Sequence, residues 1–257
     1  MSGTDIEEPP NSIRIDVPIH DKGPALWPGY ISINDLEASL RDVGTPIFET
    51  MYQGRRGGLA GTIIDETWFR YYRGEPPGTC YMFVDPAISL KTSADETAIA
   101  VGNVTIAGER VGQDGHKELQ GTVYYRWIWH GRVGIKDTEE AIIAAWRYYR
   151  PVAVGIEAVA YQTALVQLLE ADYPDLPIEP VTPTKDKLSR FLGLARLYEF
   201  GRAYHHPDMR ASAAEYQLTH LPSGRHDDIP DAMTGLAEMA GLTSATIVAE
   251  HRPTGFL

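Results

Sequence analysis

Two unbroken apolar runs constrain this chain more than any other feature: Cys80-Tyr81-Met82-Phe83-Val84 and Val152-Ala153-Val154-Gly155-Ile156. Each is too short for a buried helix and each stops on an acid, Asp85 and Glu157. Runs of this kind read as strands covered on both faces, and the second has the continuous apolar character of a parallel strand. Asp85-Pro86 closes the first, since proline cannot donate to a sheet ladder.

The stretches between them alternate in period. Thr97–Ile106 and Thr122–Val133 read as two more strands around a Gly-rich, charged hairpin region. A helix is predicted from Asp137, as N-cap with Glu140 three residues on, to Arg150 before Pro151. Further helices are predicted over about Tyr161–Ala171, Asp186–Phe200 (ended by Gly201) and Asp228–Gly241, with strands at Ile178–Val181 and Ala203–His206. Three hairpin-linked strands followed by crossovers give an α/β fold: a mixed sheet, antiparallel then parallel, with helices on both faces.

Residues 1–75 divide off as an arm and linker-like segment. They are rich in Pro, Asp and Glu to residue 25, have helical spacing over Ser32–Asp42, and form a glycine loop over 53–61. Residues 76–242 make the predicted domain and 243–257 a polar tail. The 43% apolar and 10% aromatic content suits a soluble core. There is no run of eighteen apolar residues and no basic-then-apolar N-terminus, so a cytosolic protein without membrane association is expected. The single Cys80 excludes an intramolecular disulfide and a multi-cysteine zinc site, and its place in an apolar run marks it as packing rather than nucleophile.

Candidate chemistry lies where apolar elements end. Asp85 and Glu157 close two strands, and Asp231 opens the last helix within His226-Asp227-Asp228-Ile229-Pro230-Asp231-Ala232. If the two acid-ended strands are parallel neighbours, their carboxyl ends share the edge where open α/β sheets bind ligands. Asp228 and Asp231 are three apart, so both can face one side of a helix start. Clustered carboxylates repel unless a cation compensates, and hard oxygen donors suit Mg²⁺ or Mn²⁺. Two such ions can activate water and stabilise a leaving oxygen in phosphodiester hydrolysis. Asp85, Glu157 and Asp231 are therefore expected as catalytic metal ligands and Asp228 as a fourth carboxylate. Asp95, Asp227 and His226 are candidates beside them.

Each acid also has an ordinary explanation. Asp85-Pro86 can be a strand-ending turn, Glu157 a helix cap, and Asp227, Asp228 and Asp231 can complement a helix dipole. Convergence on one edge is what favours a site. His205-His206 does not favour a metal, because strand neighbours point to opposite faces. Trp127 and Trp129, alternating with Tyr125, read as packing rather than a base-stacking platform.

The ordered set resembles the nuclease domain of phage terminase large subunits, a ribonuclease H-like fold. Asp85-Pro86-Ala87, Lys91 and Asp95-Glu96-Thr97-Ala98 are similar to that family's first motif, and Gly155-Ile156-Glu157 to its second. Lys187 and Arg190 before Gly201-Arg202-Ala203-Tyr204 resemble its basic helix and following strand, and His226–Ala232 its terminal motif. Leu26-Trp27-Pro28 and Phe48–Gln53 look like the segment joining ATPase to nuclease. The resemblance implies metal-dependent cutting of double-stranded viral DNA during genome packaging, in the host cytoplasm. It also implies a packaging ATPase domain or subunit, a small terminase subunit and a portal or procapsid as partners. No G-x-x-x-x-G-K-[ST] string is present, so this chain is expected to be a nuclease half or a separate nuclease subunit.

The net charge of −12 opposes long-range DNA attraction, so weak intrinsic affinity is expected, carried by Lys91, Lys185, Lys187 and Arg190. Two rivals remain open: another nuclease of the same fold, such as a junction resolvase, and a catalytically silent portal or procapsid docking module.

Overall fold

The computed structural model describes residues 33–52, 62–87, 96–111, 117–157, 163–183 and 185–243. The chain divides into two compact units, Met1–Gly61 and Thr62–Leu257. In the first, helices α1 (Ile33–Val43) and α2 (Thr45–Tyr52) bury Leu36 and Phe48 against each other's apolar side, with Leu40 and Val43 packed alongside. The expected arm at 1–25, the Leu26-Trp27-Pro28 motif, the 53–61 glycine stretch and the tail beyond Thr243 fall outside the described residues.

The second unit is built on a six-stranded sheet of order β5-β4-β1-β2-β3-β6. The strands are β1 (Thr79–Asp85), β2 (Thr97–Val111), β3 (Lys117–Gly131), β4 (Ala153–Glu157), β5 (Ile178–Val181) and β6 (Ala203–His205). β1, β2 and β3 form an antiparallel meander; β4 lies parallel to β1, β5 to β4 and β6 to β3. The two acid-ended strands are thus direct parallel neighbours, with Val84 beside Ile156.

Successive residues of β1 face opposite layers. Met82 and Val84 join a core with Ile142, Ile143 and Ala145 of α3 (Ile135–Tyr149) and Leu165, Val166 and Leu169 of α4 (Thr163–Asp172). Phe83 faces the other way, onto α7 (Asp228–Met239). α5 (Lys187–Glu199) packs on α7, and α6 (Ala213–Thr219) touches α7 as well. Gly235 and Gly155 allow the close approach on this side. A Cβ at Gly235 would meet the Phe83 ring at 2.3 Å, and one at Gly155 would meet it at 2.6 Å. Helix α7 therefore rides directly on β1 and β4, which fixes where its first turn projects.

Three local expectations differ from the structure. β2 and β3 run on to Val111 and Lys117 rather than breaking near Ile106 and Thr122, because bulges at Val101/Gly102 and Ile106/Gly108 absorb the irregularity that reads as loop. The first bulge also pairs Gly102 with Tyr125 and Val101 with Trp127, leaving Arg126 extra. Tyr125 is thereby turned to α7, where its hydroxyl donates to Met233 O at 2.9 Å, while Trp127 and Trp129 pack on the α3 core. Helix α3 starts three residues early: Gly134 is the N-cap, and Asp137, at the third helical position, accepts from Gly134 N at 3.4 Å. Helix α6 has no counterpart among the sequence expectations.

Candidate active site

Each acid is delivered by a different local device. Asp85 is the last residue of β1, and the chain beyond it is held by the buried Thr97, whose hydroxyl accepts from Ala87 N at 3.0 Å. Glu157 ends β4 one strand away. Asp228 and Asp231 occupy the first turn of α7, capped by Asp227, and Ile229 N donates to Gln217 Oε1 of α6 at 3.0 Å. That bond explains the otherwise unanticipated α6: it anchors the start of α7 over the carboxyl edge of the sheet.

The structure therefore brings together the four carboxylates expected from sequence. Burial pushes the Asp85 carboxyl well above the ordinary range, and Asp231, Glu157 and Asp228 push it further, with Lys187 opposing. Burial raises Asp231 to about 6 although Lys187 and Arg190 pull it down. Asp228 is 4% exposed and Asp231 7%. Asp231 Oδ1 is buried without a hydrogen-bond partner among the described residues.

Two cations of α5 enter this cluster. Lys187 Nζ lies 2.8 Å from Asp227 Oδ2 and 2.7 Å from Asp231 Oδ2. Arg190, 6% exposed, sets Nη1 at 3.6 Å from Asp231 Oδ1 and 3.8 Å from Glu157 Oε2. Its Nε donates to Glu238 Oε2 at 3.0 Å. Burial lowers both cations' pKa values, but Asp227 and Asp231 around Lys187, and Glu238 first around Arg190, outweigh it and hold both above their usual values. The ammonium and guanidinium stay charged, and the buried carboxylates carry the strain.

Of the other expected residues, Asp227 belongs to this network through Lys187, and His226 Nδ1 lies 3.8 Å from Asp228 Oδ2. Lys185 is partly exposed just before α5, whereas Arg190 is buried among the acids. Lys91 and Asp95 lie outside the described residues. Glu238 is not among the sequence expectations. Its signal is its spacing, seven residues from Asp231 and so on the same face of the helix two turns on. His205 and His206 do point apart: His205 is fully buried between Tyr198 OH, 2.7 Å from Nε2, and Glu215 Oε1, 2.9 Å from Nδ1. Burial raises the Cys80 thiol pKa, as suits a packing residue.

Residues 118–239 match the terminase RNase H-like domain family. Over that stretch, just under half of the chain, the sequence is similar to a terminase RNase H-like domain. Its β3, β4, β5, β6 and the helices through α7 lie in the matched stretch, with Glu157, Asp228 and Asp231; Asp85 precedes it. The large terminase of a thermophilic bacteriophage, in complex with ADP, is similar in fold, at TM-score 0.55 and 11% identity, covering 82% of this chain and 52% of that one. The same phage protein in complex with ATP-gamma-S gives 0.53 and 11%, over 83% and 53%. At that identity the likeness shows the fold alone, and the chain spans about half the length of that large terminase. The large terminase nuclease of thermophilic phage G20c, 14% identical over 69% of this chain and 98% of that one, gives 0.47, too loose to carry a conclusion. No curated protein matches significantly. Among the described residues no helix is long and apolar enough to cross a membrane.

The donor chemistry of the domain's acid cluster fits a hard divalent cation: carboxylate oxygens, several of them buried, among them Asp231 Oδ1, which has no hydrogen bond among the described residues. Among the described residues no three donors converge tightly enough to enclose an ion. In this arrangement Asp231 and Asp227 are paired with Lys187, and Glu157 and Asp231 lie beside Arg190.

Proposed function

We propose that this protein is a divalent-metal-dependent endonuclease that cuts double-stranded viral DNA during genome packaging in the host cytoplasm. The observation that carries the reading is the meeting of Asp85, Glu157, Asp228 and Asp231 at one sheet edge, with Asp231 Oδ1 buried and without a hydrogen bond among the described residues. Burial raises Asp85, with Asp231, Glu157 and Asp228 raising it further, and burial raises Asp231; a function must justify that cost.

Asp85, Glu157 and Asp231 would hold Mg²⁺ or Mn²⁺, with Asp228 as a fourth ligand and two ions in all. Bound there, the ions would supply water activation and stabilise the leaving oxygen. The chain's own residues do the rest. Arg190 and Glu238 fix the acids against each other, and Gln217 holds the first turn of α7 in place. Lys187, paired with the acids, and Lys185 two residues before it would position the phosphate backbone without reading sequence, and Lys91 is proposed for the same task. With a net charge of −12, affinity for DNA must come largely from elsewhere, and a tethered packaging ATPase would raise the local concentration. A small terminase subunit and a portal or procapsid are the other proposed partners.

The test is incubation of the purified protein with supercoiled plasmid in EDTA, Mg²⁺ and Mn²⁺. Nicked and linear products are expected with either metal and none in EDTA. Robust cutting in excess EDTA would refute the metal-dependent reading, and metal-dependent cutting confined to branched substrates would favour a resolvase.

A further inference from the structure

Lys187 and Arg190 are both salt-bridged to the acids, but they are held differently. Arg190 is 6% exposed, with a planar guanidinium tied at Nε to Glu238, so it is a fixture of the core. Lys187 has a side chain 50% exposed, stands in the first turn of α5, and reaches the acids through its Nζ. That ammonium bridges Asp227 Oδ2 at 2.8 Å and Asp231 Oδ2 at 2.7 Å. Its four-carbon stem can rotate into solvent without any movement of the backbone.

The second observation is on the same carboxylate. Asp231 turns Oδ2 to Lys187 and keeps Oδ1 buried, 3.6 Å from Arg190 Nη1 and without a hydrogen bond among the described residues, so its two oxygens are not equivalent. A divalent ion drawing on Asp231 would stand next to a fixed ammonium sharing the same group. Like charges that close repel strongly wherever water is excluded.

We infer that Lys187 is a resident cation of the site, which competes with the divalent ion for Asp231 and withdraws into solvent when the ion binds. The inference rests on the metal-dependent reading above and adds a residue that sets how tightly the ion is held. In the metal-free protein Lys187 offsets the repulsion among the acids; in the loaded protein it is expelled.

The test is calorimetric titration of Mn²⁺ alone into the full chain and into three variants. Lys187→Met removes the competitor, and apparent Mn²⁺ affinity is expected to rise about three- to tenfold, the scale of two half-exposed ion pairs. Lys187→Arg should keep the wild-type affinity. Lys185→Met makes the same change in net charge two residues away, and its effect should stay below about twofold, since exposed charges are screened. Equal effects from Lys187→Met and Lys185→Met, or no effect from either, would overturn the competition. Absence of Mn²⁺ binding by all four proteins would instead overturn the metal reading itself.

A second measurement needs no variant. Acetylation of the wild-type amines, read by mass spectrometry, should modify Lys187 faster in saturating Mg²⁺ than in EDTA. Unchanged or slower modification would refute the withdrawal.

Discussion

Asp231→Asn should make the metal-free protein more stable, and the structure sets the size of the effect. The Asp231 carboxyl, 7% exposed, titrates at about 6 against an ordinary 3.8. Ionising it in the folded state therefore opposes folding by about 3 kcal/mol, at 1.36 kcal/mol per pH unit of displacement. Asparagine keeps the shape and removes the charge. The attraction of Lys187 and Arg190 is already contained in that displaced value, so a net gain of about 2–3 kcal/mol is expected. For a unit of this size that raises the melting midpoint by roughly 4–12 °C.

The pH dependence follows from the direction of the shift. Between 3.8 and 6 the folded state binds more protons than the unfolded one, so wild-type stability falls as pH rises through that window. Above about 6 the penalty is complete, and below 3.8 it is gone. Thermal melts in EDTA should separate the two proteins most at pH 8 and less at pH 5, with Asp231→Asn higher. Saturating Mg²⁺ should stabilise the wild type and not the variant, by mass action on the folded state. A variant that melts below the wild type at pH 8 in EDTA, or a gap unchanged between pH 8 and 5, would refute the argument that burial and its neighbours strain this carboxylate.

Asp85→Ala, Glu157→Ala and Asp231→Ala should each reduce metal-dependent plasmid nicking by at least about a hundredfold while far-ultraviolet dichroism stays unchanged; an active Asp231→Ala would move its role to Asp227 or Asp228. Gly235→Val places a side chain where the Phe83 ring already lies, at 2.3 Å from a Cβ, and should lower stability by about 1–3 kcal/mol in urea unfolding. Glu215→Ala leaves His205 and Tyr71 without their shared carboxylate and should cost about 1–3 kcal/mol, with residual nicking intact at temperatures where the variant is folded. Lys185→Ala should weaken duplex DNA binding equally on unrelated sequences and lower the slope of log affinity against log salt by about one, measured by fluorescence anisotropy.

Much of this domain is decided locally, and those parts are legible in sequence. The apolar runs at 80–84 and 152–156 form strands because continuous apolar residues need cover on both faces, and β5 occupies Ile178–Val181 as expected. Asp186 caps α5 by accepting from Ser189 N at 3.0 Å, and Gly201 leaves the helix at positive φ, both signals carried by single residues. The acids at the ends of these elements are identifiable for the same reason, because a strand end fixes where its last side chain goes.

What sequence could not decide is what depends on contacts far apart in the chain. The bulge that turns Tyr125 away from Trp127 exists only because β2 and β3 pair out of step at Val101/Gly102, and nothing in either strand alone marks it. The role of Arg190 reads in sequence as that of a surface base on a helix. In the fold it is buried by α7 and bound to Glu238, 48 residues away, so its charge serves the acids rather than the solvent. Lys187 likewise meets Asp227 and Asp231 only because α5 packs on α7. Local propensity fixes elements and their ends; which charges share a low-dielectric space is settled only by packing, and that sharing decides whether a carboxylate is an ordinary surface acid or part of a site.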